Sequence, residues 1–221
     1  LDGLPVEPIE PGTVRDCREF IKKYNDVENF NIYGNERFIY QYISSKYPEV
    51  EVKFDIEQIK LTTIDIEVKS EYGFPDVESC VEEILLITLQ DYTTKQIRTW
   101  GLGEFNNKQE NVIYKSFKTE YELLNDFINW WMIEDNTPEV ITGWNSKLYD
   151  IPYLCRRIDR ILGEKLKKRM SPWGLVTEEE TTIMGRKHIS YDIGGVSQLD
   201  YLDLYKKFTY KAQESYRLDY I

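Results

Sequence analysis

The stretch Leu61-Thr62-Thr63-Ile64-Asp65-Ile66-Glu67-Val68 constrains the fold of this chain more than any other. It is short, apolar and rich in β-branched residues, so it reads as a β-strand. Side chains alternate across a strand, which puts Asp65 and Glu67 on one face, roughly 7 Å apart, and Ile64, Ile66 and Val68 on the other. If the strand is central, both of its faces are covered. Two carboxylates there, with no obvious cation, sit in a low-dielectric place at high cost. A divalent metal removes that cost, because hard cations prefer oxygen ligands. The competing reading is an edge strand with a solvated acidic face, and the local pattern favours neither.

The 221 residues, 41% hydrophobic and 14% aromatic, are enough for one large domain or two small ones with a sizeable core. Lys plus Arg number 28 against 39 Asp plus Glu, a formal charge of −11, which does not suit a non-specific nucleic-acid binder. The balance is compatible with an enzyme that holds cations at a carboxylate cluster and grips nucleic acid through a local basic patch. Cys17, Cys80 and Cys155 are widely spaced and form no CxxC pair, so reduced thiols in a cytosolic setting are expected. With His188 the one histidine, a Cys/His zinc site is not expected. No signal-peptide layout is present, and the apolar run Ile84 to Leu89 is far too short to span a bilayer. A first residue Leu1 and an abrupt stop at Ile221 lead us to expect a piece of a longer protein.

Along the chain, Pro5, Pro8 and Pro11 mark an irregular lead-in, and Thr13 is placed to cap a helix striped by Cys17, Phe20 and Ile21. Phe38 to Ser44 and Val50 to Phe54 read as strands, and residues up to about Lys60 as a small subdomain without chemistry. Beyond the acidic strand, Ser70 to Ser79 is a loop containing Gly73-Phe74-Pro75. Strands over Glu83 to Tyr92 and Gln96 to Leu102 then complete a meander. An amphipathic helix follows over Glu120 to Ile133, then a short buried strand over Val140 to Trp144, so an α/β layer with a mixed sheet is expected. A helix carrying Ile151, Leu154, Ile158 and Leu162 has Pro152 in its first turn, with Asp150 read as its N-cap, a role compatible with facing the Asp65/Glu67 pair. The basic residues between Arg156 and Arg169 read as a solvated face or as a phosphate contact. A β-hairpin is expected around Met184-Gly185-Arg186-Lys187, and a last helix over Ser197 to Phe208.

Three groups of residues, in order, resemble one family. Asp65-Ile66-Glu67 resembles the first exonuclease motif of family B DNA polymerases, with Gly73-Phe74-Pro75 where that family has its GFP loop. Thr142-Gly143-Trp144-Asn145 with Tyr149-Asp150 resembles the second motif. Leu199 to Phe208 and Ser215 to Ile221 are especially similar to the replicative polymerases of T-even-like bacteriophages.

The resemblance implies an RNase H-like (DnaQ-like) α/β fold for residues 61–221, preceded by part of a polymerase N-terminal domain over 1–60. It implies a proofreading 3′→5′ exonuclease using two Mg2+ or Mn2+ ions, for which Asp65, Glu67 and Asp150 are the matching catalytic ligands. Asn145 and Tyr149 would orient substrate, and Phe74 would stack on a terminal base or else anchor its loop in the core. Arg186 and Lys187 match the hairpin that helps part primer from template. The implied partners are the single-stranded 3′ end and primer-template DNA, the remaining polymerase domains and, through the full-length protein, a sliding clamp. The implied location is the cytoplasm of an infected bacterial host. The family's third motif, Tyr-x-x-x-Asp, has no match. Residues 61–221 are therefore read as truncated before it, leaving a fragment expected to bind metal weakly and cleave slowly or not at all. The alternative from another class is a non-catalytic DNA-binding or polymerase-bracing module that keeps the fold.

Overall fold

The computed structural model describes the chain except for residues 1–2, 4, 35–37, 49–50, 52, 72 and 184 and the side chains of 183 and 186. The chain divides into two compact units, Leu1–Phe54 and Asp55–Ile221.

In the first unit, helix α1 (Val14–Tyr24) starts where expected. Thr13 is its N-cap in a reciprocal capping box: Asp16 N–H donates to Thr13 Oγ1 at 3.3 Å, and the Asp16 carboxylate accepts from Thr13 N–H at 2.8 Å. Phe20 and Tyr24 of this helix cluster with Phe30 beyond it, ring centroids 4.6 to 6.4 Å apart. The segment expected as a strand from Phe38 is helix α2 (Phe38–Lys46). Its aromatic and β-branched residues favour a strand locally, but the described residues of this unit offer no strand to pair with, and a helix satisfies its own backbone. The strand expected over 50–54 falls partly outside the described residues, and residues 51 and 53–54 are not in one.

The second unit is a mixed six-stranded sheet in the order β4-β3-β2-β1-β5-β8. Strand β1 (Leu61–Val68) lies inside it, antiparallel to β2 (Ile84–Asp91) and parallel to β5 (Val140–Gly143). Strand β2 in turn pairs antiparallel with β3 (Ile97–Leu102), completing the expected meander. Beyond it the sheet gains β4 (Val112–Phe117), parallel to β3 and unmarked by any sequence signal we read. The last helix is a correction. Ser197–Asp200 is strand β8, parallel to β5, and only Tyr201–Phe208 is helix (α6). Pairing decides it: Ser197 N–H donates to Glu139 O at 2.8 Å and Thr142 Oγ1 to Leu199 O at 2.6 Å, bonds no local pattern can announce.

Helices α3 (Glu120–Trp131) and α4 (Asp150–Leu162) supply most of the helical core. Leu123, Leu124, Phe127, Ile128 and Trp131 from the first and Ile151, Leu154, Cys155 and Ile158 from the second join Ile64, Ile66, Ile87, Leu89, Trp100 and Ile141 of the sheet in one buried cluster. The β1 alternation is as expected: Ile64 and Ile66 are buried, whereas Thr63, Asp65 and Glu67 are exposed. The strand is thus interior, yet its acidic side chains are open, so neither the doubly covered strand nor the solvated edge describes it. Gly163, at φ 90°, ends α4, followed by a short helix α5 (Glu164–Lys167). The expected hairpin is formed by β6 (Val176–Ile183) and β7 (Arg186–Ile193), with Ile183 paired to Arg186. All three cysteines are free, and no helix among the described residues is long and apolar enough to cross a membrane.

Candidate active site

Strand β1 runs on past its parallel partner. It pairs with β5 only over Leu61–Thr63, so the Ile66 N–H has no strand acceptor on that side. The Asp150 carboxylate supplies one: Ile66 N–H donates to Asp150 Oδ1 at 3.0 Å, at the residue between Asp65 and Glu67. This replaces the expected cap. The N-cap position of α4 belongs to Tyr149, which makes no side-chain cap bond, and Asp150 is the first helical residue with its hydrogen bond on the sheet.

Burial shapes the charges here. Asp150 is 4% exposed. Loss of water pushes its carboxyl up to about 7; the Ile66 N–H opposes the shift, and the charges of Asp65 and Asp200 add to it. Asp65, although exposed, is also raised, by partial loss of water first and then by Glu67. Tyr149 is pushed up to about 12 by burial and then by Asp150 and Glu67. Asp65 thus feels the charge of Glu67, and Asp150 that of Asp65, and their hard oxygen donors are of the type that suits a divalent cation. Among the described residues, no group of three or more acid, histidine or cysteine side chains is gathered as a ready metal cluster. What is assembled is the β1 pair with Asp150 seated on the backbone between them.

The loop from β5 to α4 is held by contacts that sequence reading missed. Asn145 adopts a left-handed conformation, φ 60°. A Cβ on Gly143 would lie 2.6 Å from Ile64 O and 2.8 Å from Ser146 Cβ, so only glycine lets the loop press against β1. Asp200, 6% exposed at the end of β8, accepts from Asn145 N–H at 3.1 Å and from Lys147 N–H at 2.9 Å, as well as capping α6 through Leu202 N–H at 2.9 Å. One signal was legible: an Asp directly before the apolar stripe of a helix.

Phe74, Asn145, Tyr149 and Lys187 all line one cleft of about 480 Å³, together with Glu180, His188 and Ile189 of the hairpin. Phe74 is 82% exposed and lies 4.8 Å from the Tyr149 ring, so it does not anchor its loop in the core. The Arg186 side chain lies outside the described residues. The basic run behaves differently from both readings at its start. Arg156 donates to Glu78 O at 2.6 Å and to Glu178 at 2.8 Å, while Arg160 donates to Ser79 O and Cys80 O, both at 3.1 Å. Arg157 is buried against Glu120, its Nε 2.8 Å from Oε1, and also donates to Cys80 O and Val81 O. These three arginines hold the 78–81 loop, because helical spacing turns them toward it and the loop's carbonyls need donors.

A mixed sheet of this order, with carboxylates on its interior strand and at the start of the helix after the parallel neighbour, defines an α/β domain of RNase H-like architecture. The sequence matches the family described as DNA polymerase family B, exonuclease domain, over residues 10–221, and the chain belongs to that family. It is 33% identical to the DNA-directed DNA polymerase of Escherichia phage RB69 over 94% of this chain and 25% of that one. It is 33% identical to the DNA-directed DNA polymerase of Enterobacteria phage T4 over 98% and 26%. The DNA polymerase catalytic subunit of human herpesvirus 7 is 28% identical over 62% of this chain. The chain thus spans about a quarter of the length of the phage relatives it matches. Exonuclease domains of this kind are generally dependent on divalent metal.

Proposed function

We propose that this chain supplies the 3′→5′ proofreading exonuclease of a family B DNA polymerase, with residues before the RNase H-like domain belonging to the polymerase N-terminal domain. The observation that carries the reading is the seat of Asp150 on Ile66 N–H, which brings the helix carboxylate to the strand that bears Asp65 and Glu67. These three acids would hold Mg2+ or Mn2+, whose chemistry is to activate the attacking water and stabilise the leaving 3′ oxygen. The chain's own part is positioning. Phe74 and Tyr149 offer aromatic faces to the terminal bases, Asn145 lies beside them in the cleft, and Lys187 of the hairpin, 3.4 Å from Glu180, is a basic side chain of the cleft that a DNA backbone would meet. The substrate is the single-stranded 3′ end of primer-template DNA, presented by the remaining polymerase domains and, in the assembled replicase, a sliding clamp.

A second reading draws on the same cleft: an exposed aromatic pair in a groove binds DNA with or without chemistry, as a DNA-contacting or bracing module. Mn2+ titration by calorimetry and the shortening of 5′-labelled single-stranded DNA separate the two. On the first reading, Asp65→Ala, Glu67→Ala and Asp150→Ala each weaken Mn2+ binding about tenfold or more and remove any slow Mn2+-dependent shortening that the wild type gives. Mn2+ binding that is the same in the wild type and all three variants would favour the module.

A further inference from the structure

The acids proposed to bind metal arrive from two elements, and something must fix the second against the first. Helix α4 follows β5 through a loop whose residue Asn145 is left-handed and whose Gly143 touches the β1 backbone. A loop in that conformation needs its backbone N–H groups satisfied from outside, and two of them point at one carboxylate. Asp200 Oδ1 takes Asn145 N–H and Oδ2 takes Lys147 N–H, while Oδ1 also takes Leu202 N–H. The buried carboxylate has three N–H donors from two segments and no ion pair with Lys, Arg or His among the described residues. Inside the loop the order is carried forward: Asn145 O accepts from Tyr149 N–H at 3.0 Å and Ser146 O accepts from Ile151 N–H at 2.9 Å, which closes the first turn around Asp150. Hydrogen bonds therefore tie Asp200 to the 145–147 loop, the loop to the first turn of α4, and Asp150 to the β1 backbone at Ile66.

We infer that Asp200 is a positioning residue of this site: it clasps the 145–147 loop so that Asp150 stays on Ile66 N–H, on the strand that bears Asp65 and Glu67. The inference rests on the proposed metal site for its consequence, though not for its geometry. A carboxylate does this better than a neutral acceptor, since charge-assisted hydrogen bonds are roughly twice as strong and both of its oxygens accept. Its position on β8 explains why an edge strand with a single exposed face is buried at its last residue: the strand delivers the clasp.

The test is residue-resolved amide exchange by NMR without metal, alongside Mn2+ affinity, for wild type, Asp200→Asn and Asp200→Ala. Asn keeps one acceptor oxygen, so it gives a graded and milder lesion should the alanine variant fail to fold. Exchange at Asn145 and Lys147 is expected to rise, and with it exchange at Ile66 as Asp150 leaves its seat. Mn2+ affinity should fall about tenfold or more, with exchange in β2 and β3 unchanged. A role confined to capping α6 would instead raise exchange only over 201–208, and that result overturns the inference. So does faster exchange at 145–147 with Ile66 unmoved. If wild type binds no Mn2+ at this site, the proposed function falls, while Ile66 exchange still decides whether Asp200 positions Asp150.

Discussion

Asp150 is a carboxyl placed where its charge is unwelcome. Folded, it holds its proton up to about 7, against an ordinary 3.8. A folded-state value raised above the unfolded one favours folding most below pH 3.8, and that advantage is lost as pH rises toward 7. In metal-free buffer with chelator, the wild type should therefore lose about 3 kcal/mol relative to Asp150→Asn between pH 5 and pH 8, read from urea unfolding at the two pH values. A flat difference would show that burial does not govern this carboxyl. The Arg157–Glu120 pair is the other buried charge whose loss is legible. Arg157→Met leaves Glu120 buried with only Ile84 N–H and should cost about 3–5 kcal/mol in chemical denaturation. Replacing both partners with apolar residues should recover much of that loss, because the penalty lies in the abandoned charge.

Elements differ in how far local sequence commits them. Helix α1 is written in its capping box, and β1 in its alternation, since both are properties of a few neighbouring residues. Helix α2 and strand β8 are reversed from expectation because their state depends on whether a partner strand is near, which neighbours in sequence do not tell. The β5–α4 loop is a contact-limited element: Gly143→Ala would drive a Cβ against Ile64 O, and about 1–3 kcal/mol of destabilisation is expected from thermal or urea unfolding. The cleft tests its own aromatic pair. Phe74→Ala should weaken single-stranded DNA by about 1–3 kcal/mol in fluorescence anisotropy with little change in unfolding, because the ring is exposed and supports no core.

At the scale of the whole molecule, a formal charge of −11 opposes the proposed contact with DNA. Three arginines of α4 are tied to loop carbonyls and acids, and Lys187 in the cleft lies 3.4 Å from Glu180, so the local attraction for phosphate is weak among the described residues. Affinity for single-stranded DNA should then fall only gently with salt, with a slope of log affinity on log salt near about −1 to −2, and Lys187→Glu should flatten it further. A steep slope would point to phosphate contacts elsewhere on the surface.

The sequence by itself determined the acidic strand, the two acids sharing its face, and the order of strand, helix and strand that makes the sheet mixed. Each follows from periodicity and caps over a few residues. Its motifs also singled out Asp65, Glu67, Asp150, Phe74, Asn145, Tyr149, Arg186 and Lys187 as candidates, without saying what Asp150 would touch. The tertiary structure alone decided that Asp150 is no cap, that β8 is a strand, that the arginines of α4 turn to the 78–81 loop, and that Asp200 holds the 145–147 loop. Those outcomes depend on backbone groups far apart in sequence finding or losing a hydrogen-bond partner, and such pairing is set by how the chain packs.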